Sequence, residues 1–147
     1  MNDVERTVDL FTSGLNCAQS VLTVFGTRYG VDAHTAKTLG RPLGGGLGHM
    51  ALTCGAVTAA VLILGFAKDG AEEGPARKAT FVSTTEFFAR FEALHGTTEC
   101  RNLLGADFTT EAGSKRIREE GLVRKTCPPY VRDAAAILEK MLEEGRG

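Results

Sequence analysis

Between Pro42 and Ala67 the chain carries no Lys, Arg, Asp or Glu, and from Ala56 to Ala67 nearly every residue is apolar. A helix that is apolar on every face has to be buried on every face, because water charges free energy for each apolar surface left exposed. Such a stretch either crosses a membrane or forms the middle of a helical bundle. Its first part, Gly44-Gly45-Gly46-Leu47-Gly48-His49, makes a poor lipid-facing helix, and roughly a dozen strongly apolar residues fall short of a span. The reading is a buried central helix over about 54–67.

Around it the spacing is helical throughout. Val4, Val8 and Phe11 recur at helical intervals, as do Ala18, Val21, Leu22 and Phe25, with Ser13-Gly14 separating the two segments. Asp32 predicts the cap of a short helix ending at Gly40. Gly74-Pro75 predicts the start of a helix that runs to His95-Gly96, with Phe81, Thr84, Phe88 and Phe91 as its buried stripe and Phe87 and Leu94 widening it. A short helix is expected at Cys100, Leu103 and Leu104, and a charged surface turn over Ser114 to Glu120. Pro128-Pro129 opens the last helix, which carries Val131, Ala134, Ala135, Leu138, Met141 and Leu142. No alternating run asks for a strand. The expectation is all-α: one domain over 1–147, an irregular bundle of six to eight helices, with Asp69 to Gly74 as an internal loop.

The 17 basic and 18 acidic side chains give a net charge of -1 and form no long run of one sign. That balance argues against a nucleic-acid or polybasic membrane surface. The expected partner is a redox protein or a small thiol or oxidant, with no nucleic acid and no membrane insertion; a homodimer stays open. The charged start, Met1-Asn2-Asp3-Val4-Glu5-Arg6, lacks an apolar signal region, so a cytoplasmic location is expected.

In a reducing compartment, a chain long enough to close its own core has no need of structural disulfides, so the four cysteines point to redox or metal chemistry. Each follows a capping type near an expected helix start: Asn16-Cys17, Thr53-Cys54, Thr98-Glu99-Cys100 and Thr126-Cys127-Pro128. The unpaired N–H groups and positive dipole end of a helix start favour a thiolate, lowering a thiol from about 8.5 towards neutrality. The competing reading, buried cysteine as a small hydrophobe, suits any one of them better than all together. No Cys-x-x-Cys occurs, so the fold has to assemble any cluster, and the pairing stays open. Gly44 to Gly48 supplies a flexible approach to Cys54, and Gly55, Ala56, Ala59 and Ala60 let neighbouring helices come close.

Asn16-Cys17-Ala18-Gln19, the glycine-rich run leading to Cys54-Gly55-Ala56-Val57-Thr58-Ala59, Cys100-Arg101-Asn102-Leu103-Leu104-Gly105 and Cys127-Pro128-Pro129-Tyr130-Val131 together resemble the C_GCAxxG_C_C family of redox-active four-cysteine proteins. The resemblance spans nearly the whole chain and keeps all the cysteines in order. It departs at Ala59, where the family has glycine, so slightly wider packing is expected there. It implies a cysteine-based site and leaves the substrate open.

The leading expectation is a thiol redox protein, with Cys54 attacking a disulfide, persulfide or oxidant, Cys17 resolving, and Cys100 with Cys127 as a second couple. Pro128 offers Cys127 no N–H, which weakens backbone support for its thiolate. The main alternative is a metal or iron–sulfur protein with Cys17, Cys54, Cys100 and Cys127 as ligands, His49 as an additional one, and zinc or an iron–sulfur cluster bound. A non-catalytic partner-binding module is the second. Arg41 and Arg101 are cations that lower a nearby thiol's pKa. His95 reads as a helix-end residue, and His34 takes no role. Glu72-Glu73 and the run from Lys115 to Glu120 read as solvated faces. A phosphate cradle is weakly supported and a Ser/His/Asp hydrolase is not supported, since neither Gly-Lys-Ser/Thr nor a Gly-x-Ser-x-Gly elbow is present.

Overall fold

The computed structural model describes residues 1–70 and 72–145. Nine α-helices are present among them: α1 (Asp3–Thr12), α2 (Cys17–Gly26), α3 (Ala33–Gly40), α4 (Gly55–Ala67), α5 (Glu73–His95), α6 (Cys100–Leu104), α7 (Glu111–Glu120), α8 (Leu122–Thr126) and α9 (Pro128–Glu144). The all-α expectation holds, and no strand forms among the described residues. No helix there is long and apolar enough to cross a membrane.

Helix α4 lies at the centre, packed against α2, α5 and α9. Its Ala56, Val57, Ala59, Ala60 and Ile63 are fully buried, together with Phe25 of α2, Phe87 and Phe91 of α5 and Leu138 of α9. The small side chains let α2 approach closely: a Cβ on Gly55 would lie 2.9 Å from the carbonyl oxygen of Leu43 and 3.3 Å from the Ala18 Cβ.

Several expectations need correction. The second half of α4 is not covered all round; Leu62 and Phe66 are 43% and 39% exposed, and Phe66 stacks only on Tyr29, with ring centroids 5.8 Å apart. In α5 the buried stripe is Phe87 and Phe91, whereas Phe81 and Leu94 stand in solvent. Phe81 lies off the face that carries half-buried Thr80, Ser83 and Thr84, and Leu94 sits in the last turn of a helix longer than the α4 it packs on. It starts at Glu73, with Glu72 as its cap position and not Gly74. The loop expected over 69–74 is shorter for that reason, and residue 71 lies outside the described residues. The expected surface turn is helix α7, anchored by buried Ile117 and capped by the Thr110 hydroxyl, which accepts from Gly113 N–H at 2.9 Å.

The glycine-rich run is a defined left-handed turn and not a flexible approach. Gly45, Gly46, Leu47, Gly48 and His49 all have φ between 55° and 68°, and Ala51 joins them at 61°. L-residues avoid this region because Cβ crowds the next carbonyl, at a cost of about 1–2 kcal/mol each. Hydrogen bonds hold the turn: Ala51 N–H donates to the Gly45 carbonyl at 3.1 Å and Leu52 N–H to the Gly46 carbonyl at 3.0 Å. Its result is to deliver residues 51–54 against the segment that precedes α6.

Candidate thiol site

Three local devices position the cysteines. Asn16 forms a capping box with Gln19, accepting from its N–H at 2.8 Å while its own N–H reaches the Gln19 side chain at 3.1 Å, which fixes Cys17 as the first residue of α2. The Asn16 amide also donates to the carbonyls of Gly40 and Arg41, at 3.3 and 3.2 Å, tying this helix start to the end of α3.

A single antiparallel bridge between Thr53 and Glu99 is the second device. Cys54 N–H donates to Thr98 at 2.8 Å and Cys100 N–H to Leu52 at 2.6 Å, so two cysteines distant in sequence share one backbone pairing. Arg101 reinforces it through Nε to the Ala51 carbonyl at 3.1 Å. Third, Cys127 is the hinge between α8 and α9: its N–H closes α8 on Val123, and its carbonyl accepts from Tyr130 and Val131.

All four cysteines therefore sit at the cap or first position of a helix, as the sequence suggests. Of the expected capping residues, only Asn16 makes a cap hydrogen bond. Cys54 itself occupies the cap position of α4, where the N–H groups of Ala56 and Val57 favour its charged form. Thr98 is buried and serves through its carbonyl.

The thiols come together. All four are free, and Cys54 and Cys127 both lie near enough to Cys17 to act on its proton. Cys100 lies near enough to Cys54 to feel its charge, along with those of Asp107 and Arg101. Cys17 and Cys54, the pair expected from sequence, act on one another's protons, whereas the groups acting on Cys100 do not include Cys127.

This crowding reverses the expected acidity. Cys17 is raised far above the ordinary thiol range, chiefly by its hydrogen bond to Cys127, with the bond to Cys54 opposing and burial adding to the rise. Cys54 is raised by its hydrogen bond to Cys17 and then by burial, which outweigh the helix-start N–H groups. Cys100 is pushed up to about 12 by burial first, then by the charges of Cys54 and Asp107, with Arg101 opposing. Helix starts do favour thiolates, but a second anion in the same dry pocket costs more than a partial dipole charge returns. Cys54 holds its proton against Cys17, and Cys17 holds its own against Cys127.

Cys54 is 6% exposed and lies behind the other three. Cys17, Cys100 and Cys127 are half-buried and line a cavity of about 410 Å³. Arg41 and Arg124 line it too, as do His49 and Phe108, whose rings stack with centroids 4.0 Å apart and 6° between planes. His49 therefore stands in the turn after the glycine run, at the rim of this cavity. Arg101 meets Glu99 and Asp107 at 3.7 and 3.6 Å, so its charge is shared. His95 pairs with Asp133 at 2.8 Å at the end of α5, and His34 is exposed on α3.

Sequence reasoning missed Arg124 and Tyr130. Arg124 donates to the Phe11 carbonyl and covers the Phe11 ring at 4.8 Å; the signal was its place one helical turn before Cys127. Tyr130 donates to Leu103 at 2.8 Å, and burial with the charges of Cys127 and Cys54 raises its hydroxyl pKa.

No three Cys, His, Asp or Glu side chains among the described residues converge closely enough to hold a metal ion. The metal alternative, with the four cysteines and His49 as ligands, finds no support in this packing.

Fold and site define a helical protein in which one buried and three half-buried cysteines are brought beside a small cavity. The family model described as "Putative redox-active protein (C_GCAxxG_C_C)" matches residues 15–141, and the chain belongs to that family. Membership supports a redox role in general terms. No curated protein and no solved structure matches the chain significantly.

Proposed function

We propose that the chain carries out thiol–disulfide exchange, with Cys127 as the outer thiol, Cys17 as the pivot and Cys54 as the inner reserve. The observation that supports this reading is the place of the Cys17 thiol, which lines an open cavity beside Cys127 and lies near enough to both Cys54 and Cys127 for them to act on its proton. Cys54, the first choice from sequence as attacking group, is too enclosed to meet an external sulfur.

In the proposed sequence, Cys127 as thiolate attacks a substrate disulfide, whose S–S bond breaks and whose leaving thiolate takes a proton. A mixed disulfide forms on Cys127. Cys17 then yields its proton and attacks the Cys127 sulfur, so the second half of the substrate leaves as a thiol. The protein dithiol is oxidised by two electrons and the substrate disulfide is reduced to two thiols. Attack of Cys54 on Cys17, with its proton passing to the departing Cys127 thiolate, moves the disulfide inward and leaves Cys127 reduced; an external dithiol then reduces Cys17–Cys54 before the next turn.

Serine variants test the order. Incubated with a small disulfide and analysed by intact mass, Cys17→Ser accumulates a stable adduct on Cys127, whereas the wild-type chain releases the adduct and loses two thiols. Cys127→Ser forms no adduct at early times. Turnover by Cys17→Ser at the wild-type rate would remove the pivot from the mechanism.

A further inference from the structure

The charge around the cavity narrows the substrate, given the exchange reading above. Arg6, Arg28, Arg77, Arg90, Arg101 and Arg116 each meet a carboxylate within ion-pair distance. Arg41 and Arg124, which line the cavity, meet none among the described residues, and no Asp or Glu lines it. Two guanidinium groups without a carboxylate partner, set in a concave, partly apolar wall, favour an anionic group inside the cavity.

A second cavity, of about 380 Å³, continues beyond the His49–Phe108 stack and shares Arg124 with the first. It adds Arg118, which also meets no carboxylate among the described residues. Cationic groups thus run outward from Cys127, through Arg124, to Arg118. The apolar side chains between them, Phe11, Leu104 and Phe108, suit a short carbon skeleton. The volume suits a small molecule better than a folded protein.

We propose that this site takes a small anionic molecule containing a sulfur–sulfur bond: a low-molecular-weight thiol, in disulfide form, bearing carboxylate or phosphate groups. Its reactive sulfur meets Cys127, and its acid groups meet Arg124 and Arg41. The exchange proceeds as written above, with the anionic thiol as leaving group.

The test uses the reduced, full chain under anaerobic conditions with oxidised glutathione (anionic), 2-hydroxyethyl disulfide (neutral) and cystamine (cationic). Adduct formation is followed by quenched-flow mass spectrometry, and each rate is divided by that of the same disulfide with a neutral reference thiol, which removes intrinsic reactivity. The normalised rate for the anionic disulfide exceeds that for the cationic one by about tenfold or more at low salt, and the gap narrows at high salt. Arg41→Glu, at an exposed position, and Arg124→Gln each shrink the preference, with the folded state checked by circular dichroism.

Equal normalised rates for the three disulfides, or a preference unchanged in Arg41→Glu, overturn the anionic substrate and leave the exchange reading standing. A folded protein disulfide that outpaces every small one overturns it likewise. If no disulfide modifies any cysteine, the exchange reading itself falls.

Discussion

A Cβ on Gly46 would lie 2.7 Å from the Cβ of Cys100 and 2.5 Å from the Leu52 nitrogen. The left-handed turn and the backbone pairing that holds Cys100 therefore meet at one glycine, whose φ of 67° other residues adopt only with strain. Gly46→Ala combines that strain, about 1–2 kcal/mol, with a core clash of about 1–3 kcal/mol. The expected result is a loss of roughly 2–5 kcal/mol in urea unfolding, with Cys100 alkylated faster than in the wild-type chain. A stability unchanged within error contradicts the close approach.

Acidity supplies a second prediction. Cys17, Cys54 and Cys100 hold their protons more tightly folded than an ordinary thiol, whose value is about 8–9. Above that value the unfolded chain releases protons that the folded chain keeps, so the unfolded state binds fewer protons and stability falls as pH rises. The contribution is intact below about pH 9 and is lost progressively towards about 12, the value reached by Cys100. Urea midpoints of the reduced protein at pH 7, 9 and 10 measure this. The decline is smaller in Cys100→Ala, and an equal decline in both sinks the assignment.

The aromatic residues of α5 divide sharply. Phe87→Ala empties a fully buried site and costs about 3–5 kcal/mol, whereas Phe81→Ser, at a position 65% exposed, stays within about 0.5 kcal/mol. Thermal or urea unfolding of the two variants separates them. Similar losses from both would mean that the outer turns of α5 are covered in solution.

Phe81 also marks where sequence pattern stopped informing. Periodicity set the stripe about a quarter-turn off: Thr80, Ser83 and Thr84 are half-buried in line with Phe87 and Phe91, while Phe81 in the same turn lies off that face and is exposed. Local signals worked where they stood alone: Asp32 caps α3, Asn16 boxes with Gln19, and Gly96 ends α5 in the left-handed conformation. The placement of all four cysteines at helix starts was legible for the same reason. Their acidity was not, because the dipole argument treats each thiol by itself. The decisive terms are contacts among Cys17, Cys54 and Cys127, which arise only when α2, α4 and the α8–α9 hinge pack together. The bridge between Thr53 and Glu99 has no local signature either, being a single pair with no alternating run on either side.

The pivot role of Cys17 is tested most directly by a peptide map of the disulfides formed when the reduced chain is oxidised by one equivalent of a small disulfide. The account predicts Cys17 in the bond, joined to Cys127 at early times and to Cys54 later, with Cys100 still alkylatable. A map dominated by Cys100–Cys127, with Cys17 free, contradicts it.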